Sequence, residues 1–372
     1  VRRDLMLKLA IQRSELEKKI SVAAQAVGSK TVDPILQCLL FKVEDNSLNI
    51  YSTDMQTFVV SKLNVPEVEG SGQFAVDAKL LEEIVKNVDN DQIILNYDNG
   101  KLNIKSGKSS FNIATYSEPE KFPSIELENT GIKFEIETSI LQEMIDRVIF
   151  CASTESAMRA LNGVYWELKD NYLRLVASDG YRLALVEQKI TVNSDIDFIL
   201  SLKSMKELEN LIKETDEPVL TINFDHKKLA VNAGDVTVIM RVVEEVFPDY
   251  KRVLPKAFKS RIVFNKDQFL ESLKRTMIIA KRGTDKVQLK VLDDTLELSS
   301  QSPEYGEVIE EIPIEKEGED ITINFNPRFL NEAVKKIEEE EVVFNFVDEL
   351  SPMQINSKNV GEYLYIVLPV RA

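Results

Sequence analysis

Apolar residues recur along the chain in two rhythms, and the order of those rhythms repeats. In Lys133–Ala152, KFEIETSILQEMIDRVIFCA, Phe134 and Ile136 alternate as on a half-buried strand. Leu141, Met144, Ile145 and Val148 then return at spacings of three and four, which predicts an amphipathic helix that Thr138 or Ser139 would cap. The same pattern opens the chain at Leu9–Ile20 and returns at Ile262–Leu273. Ile11, Ile136 and Phe264 correspond, as do Leu16, Leu141 and Phe269, then Ile20, Ile145 and Leu273, at constant offsets of 125 and 128 residues. Constant offsets across three aligned apolar positions point to one domain used three times.

Each third carries a second copy of the strand–helix signal. Val76–Ile84, Leu200–Leu208 and Phe325–Ala333 align, with Lys79, Lys203 and Arg328 at the fourth position and Glu83, Glu207 and Glu332 at the eighth. The spacing predicts six helices, over 13–27, 79–88, 139–150, 203–213, 266–282 and 328–337. Between them lie alternating runs around polar turns: Asp45-Asn46, Asp170-Asn171 and Asp293-Asp294 in the first half-units, and Asn99-Gly100 in a second. Asn-Gly and its relatives supply the positive φ that tight hairpins need. The expectation is an α+β protein with two helices per domain gathered on one face of antiparallel sheets. Domain boundaries follow at 6–127, 128–254 and 255–372, with linkers near Glu126–Ile132 and Pro248–Lys259.

The length of 372 residues suits three domains that each bury a core. With no apolar run of eighteen residues and no signal peptide, a soluble, cytoplasmic protein is expected. Val1–Leu5 precede the first repeat and read as an extension, with Met6 the natural beginning. Cys38 and Cys151 stand alone in apolar surroundings and read as reduced core thiols.

Charge changes the picture. The formal charge is −16, which argues against nucleic acid if taken alone. Yet the six predicted helices hold 17 Lys and Arg against 11 Asp and Glu, so they carry +6 and the remainder −22. For one helix, basic residues on a solvated face are unremarked helix formers. Six helices lining a common surface would instead make it mildly basic, suited to holding a phosphate backbone loosely.

Catalytic patterns are missing. The one histidine, His226, falls in a predicted turn, and no Ser–His–Asp set, Cys–His pair, phosphate loop or zinc spacing is present. Gly70-Ser71-Gly72 precedes a strand, as a turn would. Among many carboxylates, Asp249 and Asp179 are the candidate pair for a metal-dependent nuclease. The acidic run Glu338–Glu341 reads as a solvated helix end or turn. No metal, no cofactor and no enzyme activity are expected.

FPDYKRVLPK (Phe247–Lys256), ASDGYRLAL (Ala177–Leu185), the terminal YIVLPVRA (Tyr365–Ala372), Pro34-Ile35-Leu36 and Leu161-Asn162-Gly163 closely resemble the β sliding clamps of bacterial replicative DNA polymerase. The resemblance runs from Met6 to Ala372. It implies three domains of the DNA-clamp fold and a head-to-tail homodimer closed into a ring around duplex DNA. It also implies a processivity factor that tethers polymerase, clamp loader and other clamp-binding proteins. Twelve helices at about 10 Å between axes give a circle of axes about 38 Å across. Removing about 10 Å of helix thickness leaves a hole near ~28 Å, wide enough for a duplex.

By the same resemblance, a pocket between the second and third domains takes the partner's peptide. Leu161, Leu183, Pro248, Val253, Ile366, Leu368 and Val370 would line it. Ser178, Gly180, Tyr181, Arg182, Arg252, Pro369 and Arg371 would shape its edge. Arg13, Lys30, Lys79, Arg159, Lys203, Lys274 and Arg328 would face DNA. Phe111 and Ile113 of one protomer would meet Ile278 and Ile279 of the next, with ion pairs from Lys108 to Glu304 or Glu307. The rival expectation is an acidic, repeat-built protein-binding scaffold that never encircles DNA.

Overall fold

The computed structural model describes residues 7–28, 33–125, 131–192, 194–357 and 363–371. Six α-helices form where the 3.6-residue pattern places them: α1 Arg13–Ala24, α2 Ala78–Asn87, α3 Thr138–Val148, α4 Leu202–Glu214, α5 Lys266–Ala280 and α6 Pro327–Val334. Side chains close several helix starts. Asp77 accepts from the Leu80 amide, Asn265 from Gln268 and Asn326 from Arg328. Thr138, an expected cap, does something else: its hydroxyl donates to the Glu217 carbonyl. Three helices end short of the apolar pattern because the chain tightens to i→i−3 bonds, as in Ala26 to Ala23, Gly283 to Ala280 and Ile337 to Val334.

The tight turns match their sequences. Asp45-Asn46, Asp170-Asn171 and Asn99-Gly100 all have positive φ at both central residues. Asp293-Asp294 departs from this: its strands end at Val291 and resume at Thr295, joined by a Leu292 amide to Thr295 carbonyl bond. His226 sits at φ 71 in its turn.

The chain forms two compact units, Val1–Ile140 with Lys206–Val242, and Leu141–Met205 with Val243–Ala372. In the first, a five-stranded antiparallel sheet runs from Val68–Glu69 through Leu7–Gln12, Gln92–Asp98 and Lys101–Ser106 to Ser109–Ala114. A second antiparallel sheet has the order Gly72–Asp77, Cys38–Glu44, Ser47–Thr53, Thr57–Asn64, Val236–Val243, Lys228–Ala233, Val219–Phe224, Ile132–Glu137. Its central seam, Ile239 opposite Phe58, joins strands of the first and second repeats. α1 packs on α2, and Phe74 stacks between Phe41 and Tyr97.

The second unit repeats the design. Ile196–Ser201, Gly163–Lys169, Tyr172–Ser178 and Arg182–Lys189 pair in turn, and Arg182–Lys189 then takes Tyr363–Val367 of the third repeat as its neighbour. Met353–Ser357, Glu341–Phe346, Ser260–Asn265 and Glu315–Gly318 continue the sheet. A four-stranded sheet has the order Gly306–Pro313, Thr295–Ser302, Val287–Val291, Ile321–Phe325. α5 packs on α6, over a core where Phe344 meets both Phe264 and Phe269 edge to face and those two rings are tilted to each other.

Candidate functional site: an apolar pocket and two open sheet edges

The seam between Arg182–Lys189 and Tyr363–Val367 positions an apolar pocket of about 270 Å³. Leu161, Leu183, Pro248, Val253, Ile366 and Leu368 line it, together with Ser178, Gly180, Tyr181 and Arg182. Met158, Phe247, Asp249, Tyr250 and Pro352 complete the lining, beyond the residues that the resemblance implies for it. Phe247 and Tyr250 belong to the FPDY segment, whose aromatic pair is the signal in the sequence. Behind the pocket, Leu161, Leu183, Phe247, Tyr250 and Ile366 belong to one buried cluster.

Not every expected residue faces this cavity. Arg252 is solvent-exposed and pairs with Asp249 at 2.9 Å. Pro369, Val370 and Arg371 run on beside the four-stranded sheet. There the Val370 amide donates to the Asn324 carbonyl, and Lys286 donates to that of Arg371. None of these four is among the residues lining the pocket.

The loop at the pocket mouth is held bond by bond. Asp179 Oδ1 accepts the amides of Tyr181 and Arg182 at 2.9 and 3.1 Å. Ser178 Oγ donates to the Arg182 carbonyl and accepts the Gly180 amide. Gly180 has φ +91, a conformation that a side chain would strain. Tyr181 is left 67% exposed, and its carbonyl receives the Leu368 amide at 2.9 Å.

Arg182 lies beneath this loop, only 8% exposed. Its guanidinium donates to Asp179 Oδ2 at 3.0 Å, to Glu332 of α6 and to the Phe150 carbonyl, and stacks over Phe329 at 4.3 Å. Burial pulls the Glu332 carboxyl upward, but hydrogen bonds from Arg328 and Arg182 outweigh it and hold the group below its ordinary value. The pocket's other wall is fixed the same way. Tyr250 donates its hydroxyl to Glu167, which also receives Lys251 and Arg174, while Tyr165 stacks on Phe247. Burial raises the Tyr250 hydroxyl, and the hydrogen bond to Glu167 adds to that.

The first unit contains the same loop one repeat earlier. Asp54 Oδ1 accepts the amides of Gln56 and Thr57, and Thr53 Oγ1 donates to the Thr57 carbonyl and accepts the Met55 amide. Met55 stands at φ 73 where the later loop has Gly180, and Thr57 replaces Arg182, bonding to Glu207. Asp179, one of the two nuclease candidates, is thus a loop-fixing residue paired with Arg182, and Asp249 faces Arg252.

Two strands end their sheets with one neighbour each among the described residues. Ser109–Ala114 pairs only with Lys101–Ser106, and Gly306–Pro313 only with Thr295–Ser302. Phe111 is exposed and Ile113 half-buried on the first edge. Beside the second, Ile278 of α5 is 55% exposed and Ile279 half-buried, with Tyr305 and Ile309 exposed nearby. Lys108, Glu304 and Glu307 are exposed.

Of the expected DNA-facing cations, Lys79, Arg159, Lys203, Lys274 and Arg328 are exposed. Arg13 is half-buried and pairs with Glu17, Arg328 pairs with Glu332, and Lys30 lies outside the described residues.

Three family models match in succession: the DNA polymerase III beta subunit N-terminal domain over residues 7–126, its central domain over 135–249 and its C-terminal domain over 251–371. The DNA polymerase III beta subunit of Thermotoga maritima, solved by crystallography, is 43% identical with a TM-score of 0.92, covering 98% of this chain and all of its own. The beta sliding clamp of Pseudomonas aeruginosa is 29% identical over 97% of this chain and 99% of its own length. A crystal structure of that organism's clamp bound to griselimycin is 28% identical, with a TM-score of 0.93 over 98% of this chain and 100% of that one. Matched by all three domain descriptions in order, and sharing 43% of aligned residues with a solved member, the chain belongs to the DNA polymerase III beta subunit family, the bacterial beta sliding clamps.

Proposed function

We propose that two copies of this chain join head to tail into a ring around duplex DNA and tether the replicative polymerase, clamp loader and other partners through the apolar pocket. One observation carries the reading. At each internal repeat junction, the last strand of one repeat pairs with the third-hairpin strand of its neighbour: Val236–Val243 with Thr57–Asn64, and Tyr363–Val367 with Arg182–Lys189. The strands left without that neighbour, Ser109–Ala114 and Gly306–Pro313, hold the same two places in the repeat. A second copy supplies both, and a heterologous contact of this kind closes on itself at the right rotation. Five strands would join four, giving nine, beside the eight strands paired across one internal junction and the nine across the other.

The seam would place Phe111 and Ile113 against Ile278 and Ile279. Domain boundaries at 6–127, 128–254 and 255–372 agree with the matched ranges to within several residues. The basic positions Arg13, Lys79, Arg159, Lys203, Lys274 and Arg328 would meet phosphate without reading bases, so the ring slides. The role is non-catalytic and cytoplasmic; no described helix is long and apolar enough to cross a membrane.

Solution X-ray scattering with an absolute mass tests the assembly. A mass of two chains with a central hole is expected. A monomer at every concentration would refute the ring and leave an acidic binding scaffold as the better account.

A further inference from the structure

Glu332 is shared between two arginines that face different ways. Its Oε1 accepts from Arg328 Nε at 2.8 Å, and its Oε2 from Arg182. Arg182 in turn holds Asp179 Oδ2, and the other oxygen of Asp179 fixes the Tyr181–Arg182 backbone at the pocket mouth. Contacts are therefore continuous from α6 to the pocket wall. Arg328, with its side chain 73% exposed, is the member able to swing outward.

The geometry points to Glu332 as a positioning residue that couples the two sites: a phosphate at Arg328 and a peptide in the pocket act on each other through this one carboxylate. The inference rests on the pocket taking peptide and α6 facing DNA. A phosphate offers Arg328 a charge-assisted, bidentate partner. Once Arg328 turns to it, the full charge of Glu332 acts on Arg182, which is then held more firmly against Asp179 and the loop. A better-fixed pocket loses less freedom on binding, so peptide affinity rises. By linkage the peptide strengthens phosphate binding by the same factor.

The earlier repeat supplies an internal comparison. Its loop has the same skeleton, with the Thr57 amide on Asp54 and the Thr57 hydroxyl reaching Glu207 where the later loop has the Arg182 guanidinium. The arginine in the middle of the relay is a property of the pocket that faces partners.

Fluorescence anisotropy of a labelled short peptide carrying aliphatic and aromatic anchors, on the full chain with and without saturating duplex oligonucleotide, tests the coupling. One shared, partly exposed carboxylate places the effect at the low end of allosteric couplings, about fivefold tighter with duplex. Arg328→Gln should remove the enhancement. Lys79→Gln, on α2 and outside this run of contacts, should need more duplex to saturate but keep it. Equal peptide affinity with and without bound duplex would overturn the inference, as would full enhancement in Arg328→Gln. A peptide that fails to bind the unmodified chain at all would overturn the pocket reading itself, and the coupling with it.

Discussion

Replacing Arg182 with Met keeps most of the aliphatic stem and volume while deleting the guanidinium. The change removes the bonds to Asp179, Glu332 and the Phe150 carbonyl, and the stacking over Phe329. Breaking a buried ion pair from one side costs about 3–5 kcal/mol, because the remaining charge loses its partner. Two features favour the lower end of that range. Glu332 keeps Arg328 and Asp179 keeps two amide donors, and their side chains are 26% and 19% exposed, so water takes up part of the loss. About 3 kcal/mol is expected from the ion pairs, and the lost ring contact adds about 1 kcal/mol. Trp166, the chain's one tryptophan, is buried in the same unit and reports its unfolding in denaturant without requiring the whole chain to melt together. A double-mutant cycle with Glu332→Gln should give a coupling of about 2 kcal/mol, since the two side chains touch. Peptide affinity should fall as well, because the loop over the pocket loses its tie. A destabilisation below about 1 kcal/mol, or a coupling within about 0.3 kcal/mol of zero, would refute the buried pair as a working contact.

Two further outcomes follow from the same geometry. Ile278→Asp puts a charge where the proposed seam buries an aliphatic side chain; an uncompensated cost of about 3 kcal/mol weakens the dimer by at least about 100-fold, read by sedimentation equilibrium, and an unchanged dissociation constant would remove α5 from the seam. Glu332 and Glu167 are both held below their ordinary value of 4.5, burial opposing the shift and hydrogen bonds from Arg328 and Arg182, or from Lys251, Tyr250 and Arg174, driving it. Depressed folded values mean that their stabilisation is fully present above 4.5 and lost as pH falls through those values. Unfolding midpoints followed through Trp166 should therefore drop in acid, and Glu332→Gln should flatten the profile; a parallel profile in that variant would contradict the assignment.

The pattern of apolar positions was enough to locate the helices, the hairpins and the threefold repeat, because these depend on neighbours a few residues apart. What it left open was non-local. Arg182 is a pocket-edge residue by the resemblance alone; arginine is seldom buried without a partner, and the structure buries this one. Its partner Glu332 is 150 residues away, and nothing in the local sequence marks the pair. Likewise Leu161, Leu183 and Ile366 could be named as apolar lining from the resemblance. The departure of Val370 and Arg371 toward the four-stranded sheet depends on a single amide-to-carbonyl bond and one lysine contact. The exposure of Ile278 against the partial burial of Ile279 depends on which side of α5 packs on its sheet, one residue's rotation that the periodicity alone does not fix.

The repeat nevertheless held the missing signal. Thr57 meets Glu207 across 150 residues, the same separation as Arg182 and Glu332, so one contact position recurs at both internal junctions with different chemistry. Glu83 is the third member of that aligned set, and in the single chain it is exposed. Its counterpart loop, by the same alignment, precedes Gly306–Pro313, at the other end of the repeat series. In a head-to-tail assembly that loop arrives from the neighbouring copy, and Glu83 then occupies the place Glu207 and Glu332 fill within the chain. The three glutamates thus report three equivalent junctions, two closed by the chain itself and one that requires a partner of identical sequence. Glu83→Lys should accordingly weaken self-association measured by sedimentation while leaving Trp166-detected unfolding unchanged, and an unaltered dimer would break the equivalence of the third junction with the other two.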